Sequence, residues 1–309
     1  ITQIIISSIT PIIFYKILAN FFDNTLAIIG ALTFSLFPLI VYSAGQISSV
    51  TIYLFLLVYF IKLVLDLSTN QSIKKIIILS IIAGILILTR RDFLLIYIIS
   101  LIYMTIFFKI NYKNIFLMII ISILTISPYL IRNYLAFDKI IVHSGLGYNV
   151  WKAYNPKAKV EGYYVETTEL KAKLNTVKKD IFYRINEDKF YFDEAKKYIS
   201  EDPSKYLGLY IKRLFSFYFY DLDSSQKNYY NIFHIYPILF LSLVSLVGFF
   251  TYQKQNMKLN YVILIMFIIL FVYSSFAILP RYKIYLLPFQ IILGLRCVEL
   301  LIKKLRVKN

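Results

Sequence analysis

The chain has 309 residues, of which 59% are hydrophobic, with a mean hydropathy of +0.67. An ordinary soluble domain runs nearer ~45–50% apolar, so this composition excludes that class. The formal charge of +17 would point to nucleic acid in a soluble protein, but here the cations fall between apolar runs and not along one face, which excludes that partner as well.

In chain order, apolar windows long enough to suggest membrane helices lie near residues 2–19, 25–44, 49–66, 74–89, 93–109 and 114–134. Three more lie near 231–251, 260–279 and 284–302. A bilayer core of ~30 Å takes roughly 20 such residues as a helix, and lipid cannot satisfy the backbone of an open sheet. The predicted fold class is therefore an all-α polytopic membrane protein with about nine transmembrane helices. Three regions follow: 1–134, an N-terminal helical region; 135–230, a hydrophilic domain; and 231–309, C-terminal helices with a basic tail. The middle region holds 13 of the 17 acidic residues. The chain opens at Ile1, inside an apolar run, and is expected to be a piece of a longer or processed protein.

Lysine placement sets the expected orientation. With 135–230 outside, Lys16, Lys62, Lys74, Lys75, Lys109, Lys113, Lys254 and Lys258 fall on the cytoplasmic side, joined by Lys303, Lys304, Arg306 and Lys308 of the tail. The outer connections keep only Arg90, Arg91, Arg281, Lys283 and, at the domain edge, Arg132. The expected localisation is a multi-pass cell-membrane protein, a bacterial inner membrane protein, with its C-terminus in the cytoplasm.

The outer arginines run against that charge rule. Arg90 follows "ILILT", Arg132 follows "YLI" and Arg281 follows "FAILP", each at an apolar helix end. Guanidinium suits bidentate phosphate binding, so converging ends would make an anion pocket; the plainer role is snorkelling to lipid headgroups. Pro203 after Asp202 predicts a capped helix, with Leu207, Tyr210 or Ile211, Leu214 and Tyr218 recurring at helical spacing. That pattern is an interfacial amphipathic helix acting as a lid or prop, with phosphate contact by Lys212 or Arg213 as the sharper version. The single cysteine, Cys297, excludes an internal disulfide, and His143 and His234 belong to no spaced ligand motif, so no metal site is expected. Glu187, Asp188, Asp193 and Glu194 read as a solvated helix face, and no phosphate-cradling glycine loop or nucleophile elbow appears.

The segment "SPYLIRNYLAFDKIIVHSGLGYNVWKAYNPKA" resembles the dolichyl-phosphate-mannose-protein mannosyltransferase-like enzymes. These are the membrane glycosyltransferases of family 39 and their aminoarabinose-transferase relatives, with a GT-C-like fold. The positions that fit begin with Pro128, Arg132, Asn133, Tyr134, Phe137 and Lys139 and continue with Gly147, Asn149, Trp151, Asn155 and Pro156. Asp138 stands where glycine is usual, and Ala153 replaces a common glycine. "FPLIVYSAGQISS", "AGILILTRRDFLL", "YISEDPSKYLGLYIKRLFSFY" and "PRYKIYLLPF" resemble other family stretches in the order required. Arg91 and Asp92 stand there for Pro and Glu, and an acid is absent at Ser48, Ser49 and Val50.

The resemblance implies transfer of a sugar from a polyprenyl-phosphate donor to a protein, lipid or glycan acceptor at the outer membrane face. It implies donor-phosphate binding by Arg90, Arg132, Arg281 and Tyr282, with Arg91 as an alternative to Arg90. Asn149, Trp151 and Asn155 would serve the sugar or acceptor, and Trp151 reads equally as an interfacial anchor. The general base is expected upstream of Ile1, which would leave this chain inactive alone; within it, Asp92 is the candidate. The lipid-linked sugar is the only small molecule implied, and a divalent cation stays open. A transporter or flippase, or a ligase or polymerase, of lipid-linked sugars is the alternative. The absence of an internal repeat and the placement of charges at helix ends disfavour the transporter.

Overall fold

The structure is a computed structural model that describes residues 1–140, 145–226, 228, 231–251 and 256–308, with the backbone alone at 306–308. His143 and Lys254, singled out above, lie outside the described residues, as do the side chains of Arg306 and Lys308. Among the described residues every regular element is helical. In order they are α1 (Thr2–Leu18), α2 (Asn24–Leu36), α3 (Pro38–Ala44), α4 (Val50–Leu67), α5 (Ile73–Thr89), α6 (Phe93–Ile106) and α7 (Tyr112–Phe137). There follow α8 (Leu146–Tyr154), α9 (Thr168–Asn175), α10 (Tyr183–Glu201) and α11 (Pro203–Tyr218). Then come α12 (Ile232–Phe250), α13 (Met257–Ser274), a 3-10 segment (Pro280–Tyr285) and α14 (Leu287–Lys308).

A helix occupies each of the predicted windows, but fewer are long and apolar enough to cross a membrane. Among the described residues four qualify: α4, α7, α12 and α13. A fifth is obtained by counting α2 and α3 as one span bent by 51°. The bend has a local cause. Pro38 supplies no N–H to continue α2, and it forces Phe37 into extended backbone (φ −63°, ψ 121°) before a new helix starts. The α6 helix has 14 residues, about 21 Å at 1.5 Å each, which is short of the ~30 Å core. Helix α7 contrasts with α4. Only 17% of its apolar window is buried against 67% for α4, so Phe116, Ile123 and Leu124 form an exposed apolar face that lipid, not water, can cover. The chain is thus a helical membrane protein by composition and by helix length.

The structure divides into two compact units. Unit 1 comprises Ile1–Ile126, Gln226–Ile269 and Arg281–Asn309; unit 2 comprises Ser127–Ser225 and Leu270–Pro280. Most of the N-terminal and C-terminal helical regions therefore share one unit, and the divisions fall within α7, between α11 and α12, within α13 and within the 3-10 segment. In unit 1, α12 and α14 approach closely at Gly248, where an added Cβ would lie 1.9 Å from the Leu293 carbonyl oxygen. Gln290 Nε2 donates to Ser242 Oγ at 3.1 Å in the same buried interface. Small residues and interhelical hydrogen bonds are the means of association available where lipid removes the hydrophobic drive.

In unit 2, α8 packs on α10 with equal intimacy. A Cβ on Gly147 would fall 1.7 Å from the Asp188 carbonyl oxygen. Thr167 and Asp202 cap α9 and α11 by accepting from Leu170 N and Lys205 N, as short polar side chains at helix starts do. On α11, Leu207, Ile211 and Phe215 form an exposed stripe at i, i+4, i+8, while Tyr206, Arg213, Phe217 and Tyr218 are buried. The amphipathic pattern is present, with its outward apolar face on 207, 211 and 215, and with Tyr218 turned inward.

Candidate functional site

In unit 1 the turn between α5 and α6 meets the 3-10 segment. Arg90 caps α5 in extended backbone, its N–H donating to Leu86 O at 2.8 Å, and Asp92 precedes α6. The Arg90 guanidinium faces three rings, with Cζ 4.7 Å from the centroid of Tyr282, 5.3 Å from Tyr285 and 5.6 Å from Tyr53. It donates from Nε to Asp92 Oδ1 at 3.2 Å and from Nη1 to Tyr285 Oη at 3.4 Å. The Tyr282 and Tyr285 rings stack at 6.2 Å, and Tyr53 meets Tyr285 edge-on at 4.8 Å. Arg281 lies over the Tyr282 ring at 5.6 Å. Cations sit favourably over aromatic faces, so the tyrosines fix both guanidiniums without neutralising them.

Four of the sequence-predicted residues, Arg90, Asp92, Arg281 and Tyr282, are therefore neighbours here. Asp92 Oδ2 and Arg281 Nε of the cluster are buried without a hydrogen-bond partner among the described residues. Tyr53 and Tyr285 are the members that the sequence reading missed. Their signal was slight, because a tyrosine inside an apolar run looks like any other membrane-helix aromatic.

An apolar groove of about 610 Å³ runs along α5, α6 and α7, lined from Ile87 and Leu94 to Ile106 and Ile115. Its polar side chains are satisfied internally. Tyr97 Oη donates to Met118 O at 3.0 Å, Ser122 Oγ to Ser80 O at 2.9 Å, and Thr105 Oγ1 to Leu101 O at 2.8 Å. The groove consequently offers carbon to its occupant.

Arg132, Asn149, Trp151 and Asn155 belong to unit 2. Arg132 is exposed near the end of α7, donating to Asn133 Oδ1 at 3.3 Å. Trp151 is 2% exposed and packs against Tyr191 at 5.1 Å and Tyr148 at 5.8 Å, in a cluster with Leu170 and Ala195. The Asn155 amide serves the backbone, donating to Tyr163 O at 2.7 Å and Trp151 O at 3.1 Å, while its oxygen accepts from Lys157 N at 3.1 Å. These two side chains hold unit 2 together and present no free face to a sugar; Asn149 is exposed.

Arg213 is likewise committed. It is fully buried and donates to the carbonyls of Ala153, Lys159 and Val160, with Tyr154 against its plane at 5.2 Å. Burial lowers its pKa to about 10. The helix α11 is thereby clipped to the loop after α8, and this guanidinium is not available to a phosphate.

Glu187 and Asp188, read above as a solvated face, line a cleft of about 460 Å³ with Tyr148, Glu166, Arg184 and Tyr191. Tyr191 Oη donates to Glu166, and burial together with that carboxylate pushes its pKa up. Glu187 accepts from Tyr183 Oη and from Arg184 Nη1, each at 3.1 Å. Among the described residues no cluster of three or more His, Cys, Asp or Glu is arranged to hold a metal. Comparison with family models, with curated proteins and with solved structures gave no match to this chain.

Proposed function

We propose that the chain is a membrane glycosyltransferase that moves a sugar from a polyprenyl-phosphate donor to a protein, lipid or glycan acceptor at the outer face. The observation that carries this reading is the arginine–tyrosine cluster at the α5–α6 turn. Arg281 and Arg90, the latter ion-paired with Asp92, are held by tyrosine rings, and the same unit carries an apolar groove along α5, α6 and α7. A donor whose head is a phosphodiester and whose tail is a long hydrocarbon needs that pairing. When the bond from the anomeric carbon to the phosphate oxygen breaks, the electron pair leaves on the phosphate. A preorganised guanidinium stabilises that growing charge more than it stabilises the ground state. Arg281, with Nε unbonded, is the phosphate ligand in this account; Tyr282 lies between the two arginines, and Asp92 orients Arg90 through Oδ1.

The test is photolabelling of the chain in membranes with a polyprenyl-phosphate sugar carrying a benzophenone on its lipid tail. Saturable labelling of α5, α6 and α7, competed by unlabelled donor and not by a neutral polyprenol, is the expected result. Labelling that neither saturates nor depends on the phosphate would overturn the donor site. Net passage of intact donor across the bilayer by the reconstituted chain would favour the flippase instead.

A further inference from the structure

The opposite end of unit 1 carries a second cation cluster that the transferase reading does not use. Tyr53 is at the start of α4 and Arg90 to Asp92 precede α6, whereas Ser68, Phe107 and Lys109 follow the far ends of the same two helices. From Tyr53 to Ser68 is 15 residues, about 22 Å of helix, so the two clusters are separated by most of a bilayer core. At this far end lies a pocket of about 730 Å³. Its walls are Phe21, Phe22, Phe107 and Phe108, and Lys109, Lys258 and Arg296 project into it from three different elements.

The charges do not cancel. Arg296 pairs with Glu299, yet its Nε is buried without a partner. Lys258 Nζ donates to a neutral acceptor, Asn20 Oδ1, at 2.9 Å. Neither Lys109 nor Lys258 is paired with a carboxylate among the described residues. Lys109 also has φ 51°, the left-handed region that a long L side chain rarely adopts. It closes the end of α6 there, where the Ile110 N–H donates to Met104 O at 3.1 Å.

We propose that this pocket binds the phosphate headgroup of an anionic phospholipid from the leaflet opposite the arginine–tyrosine cluster. Two uncompensated ammonium groups and an unsatisfied guanidinium N–H call for an anion with several acceptor oxygens, which a phosphodiester supplies. Phenylalanine walls call for a ligand whose charge is joined to apolar matter, and a basic pocket between membrane helices is where such headgroups are held. The inference is independent of the transferase reading, because it uses none of the same residues.

The experiment takes the purified full chain in neutral detergent and titrates phosphatidylglycerol, phosphatidylcholine and inorganic phosphate, with bound lipid counted by native mass spectrometry. Phosphatidylglycerol should bind at least about tenfold more tightly than phosphatidylcholine, which has the same phosphodiester but adds a choline cation that Lys109, Lys258 and Arg296 repel. Lys109→Gly combined with Lys258→Gln should erase that preference. Lys109→Gly alone, which relaxes the backbone and so protects the fold, should reduce it. Lys171→Gln, which removes an exposed charge from α9, should leave it intact. A preference that survives the double variant, or that Lys171→Gln removes equally, overturns the site. Displacement of the lipid by inorganic phosphate at equal concentration overturns the assignment to a lipid.

Discussion

At the residue scale, the same chemistry does different work in different surroundings. Arg90, Arg213 and Arg281 are all arginines near helix ends, but Arg213 spends its donors on carbonyls while Arg90 and Arg281 rest on tyrosine faces. The sequence marked Arg90 and Arg281 because they break the charge rule for outer connections, and that signal survives without any contact information. The role of Trp151 was not legible in the same way. A tryptophan in a polar loop suits a sugar platform and a buried anchor equally, and only the rings of Tyr148 and Tyr191 against it decide where it sits. Trp151→Ala should therefore cost about 3–5 kcal/mol of stability, as removal of a large buried aromatic does. The check is thermal unfolding of the detergent-purified variant, followed by circular dichroism. A Trp151 that served only as an exposed platform would leave the unfolding midpoint where it was.

At the element scale, every apolar window became helix, because a continuous run of Ile, Leu and Phe has no other way to satisfy its backbone in lipid. Length was harder to read. The windows ran together apolar residues that Pro38 separates into α2 and α3, and the window at 284–302 began inside the 3-10 segment that carries Lys283 and Tyr285. Close approaches were less legible still, since Gly147 stood out only as a glycine in the stretch that resembles the family, with no sign of a helix contact. Its role is contact, for the α10 backbone occupies the space where a side chain would go. Gly147→Ala should drive α8 off α10, at a cost of about 1–3 kcal/mol, the usual range for overpacking. Limited proteolysis should then cut unit 2 several times faster than in the parent. Gly208→Ala is the control, because nothing lies within 4 Å of a Cβ there. Equal cutting of the two variants would show that the α8–α10 contact is not what holds the unit together.

At the scale of the whole molecule, the arrangement in the membrane rests on charge. Lysine-rich connections on one side of the alternating apolar segments, and an acidic region between α7 and α12, are the basis for the proposed topology, in which the acidic region is outside. In a Cys297→Ser background, a cysteine at exposed Lys171 should react with a membrane-impermeant thiol reagent in intact cells, and one at exposed Lys74 only after lysis. The reverse pattern would invert the topology and place the arginine–tyrosine cluster on the wrong face. The most direct test of the central claim is equilibrium binding of a polyprenyl-phosphate sugar to the purified chain, parent against Arg281→Ala and Arg281→Lys. A phosphate ligand gives up a charge-assisted hydrogen bond of about 1.5–3 kcal/mol in the alanine variant, so affinity should fall roughly tenfold to a hundredfold. Lysine keeps the charge and loses the two-pronged geometry, so it should restore part of that loss. Binding by Arg281→Ala within about twofold of the parent, with the variant folded and inserted, would contradict the account.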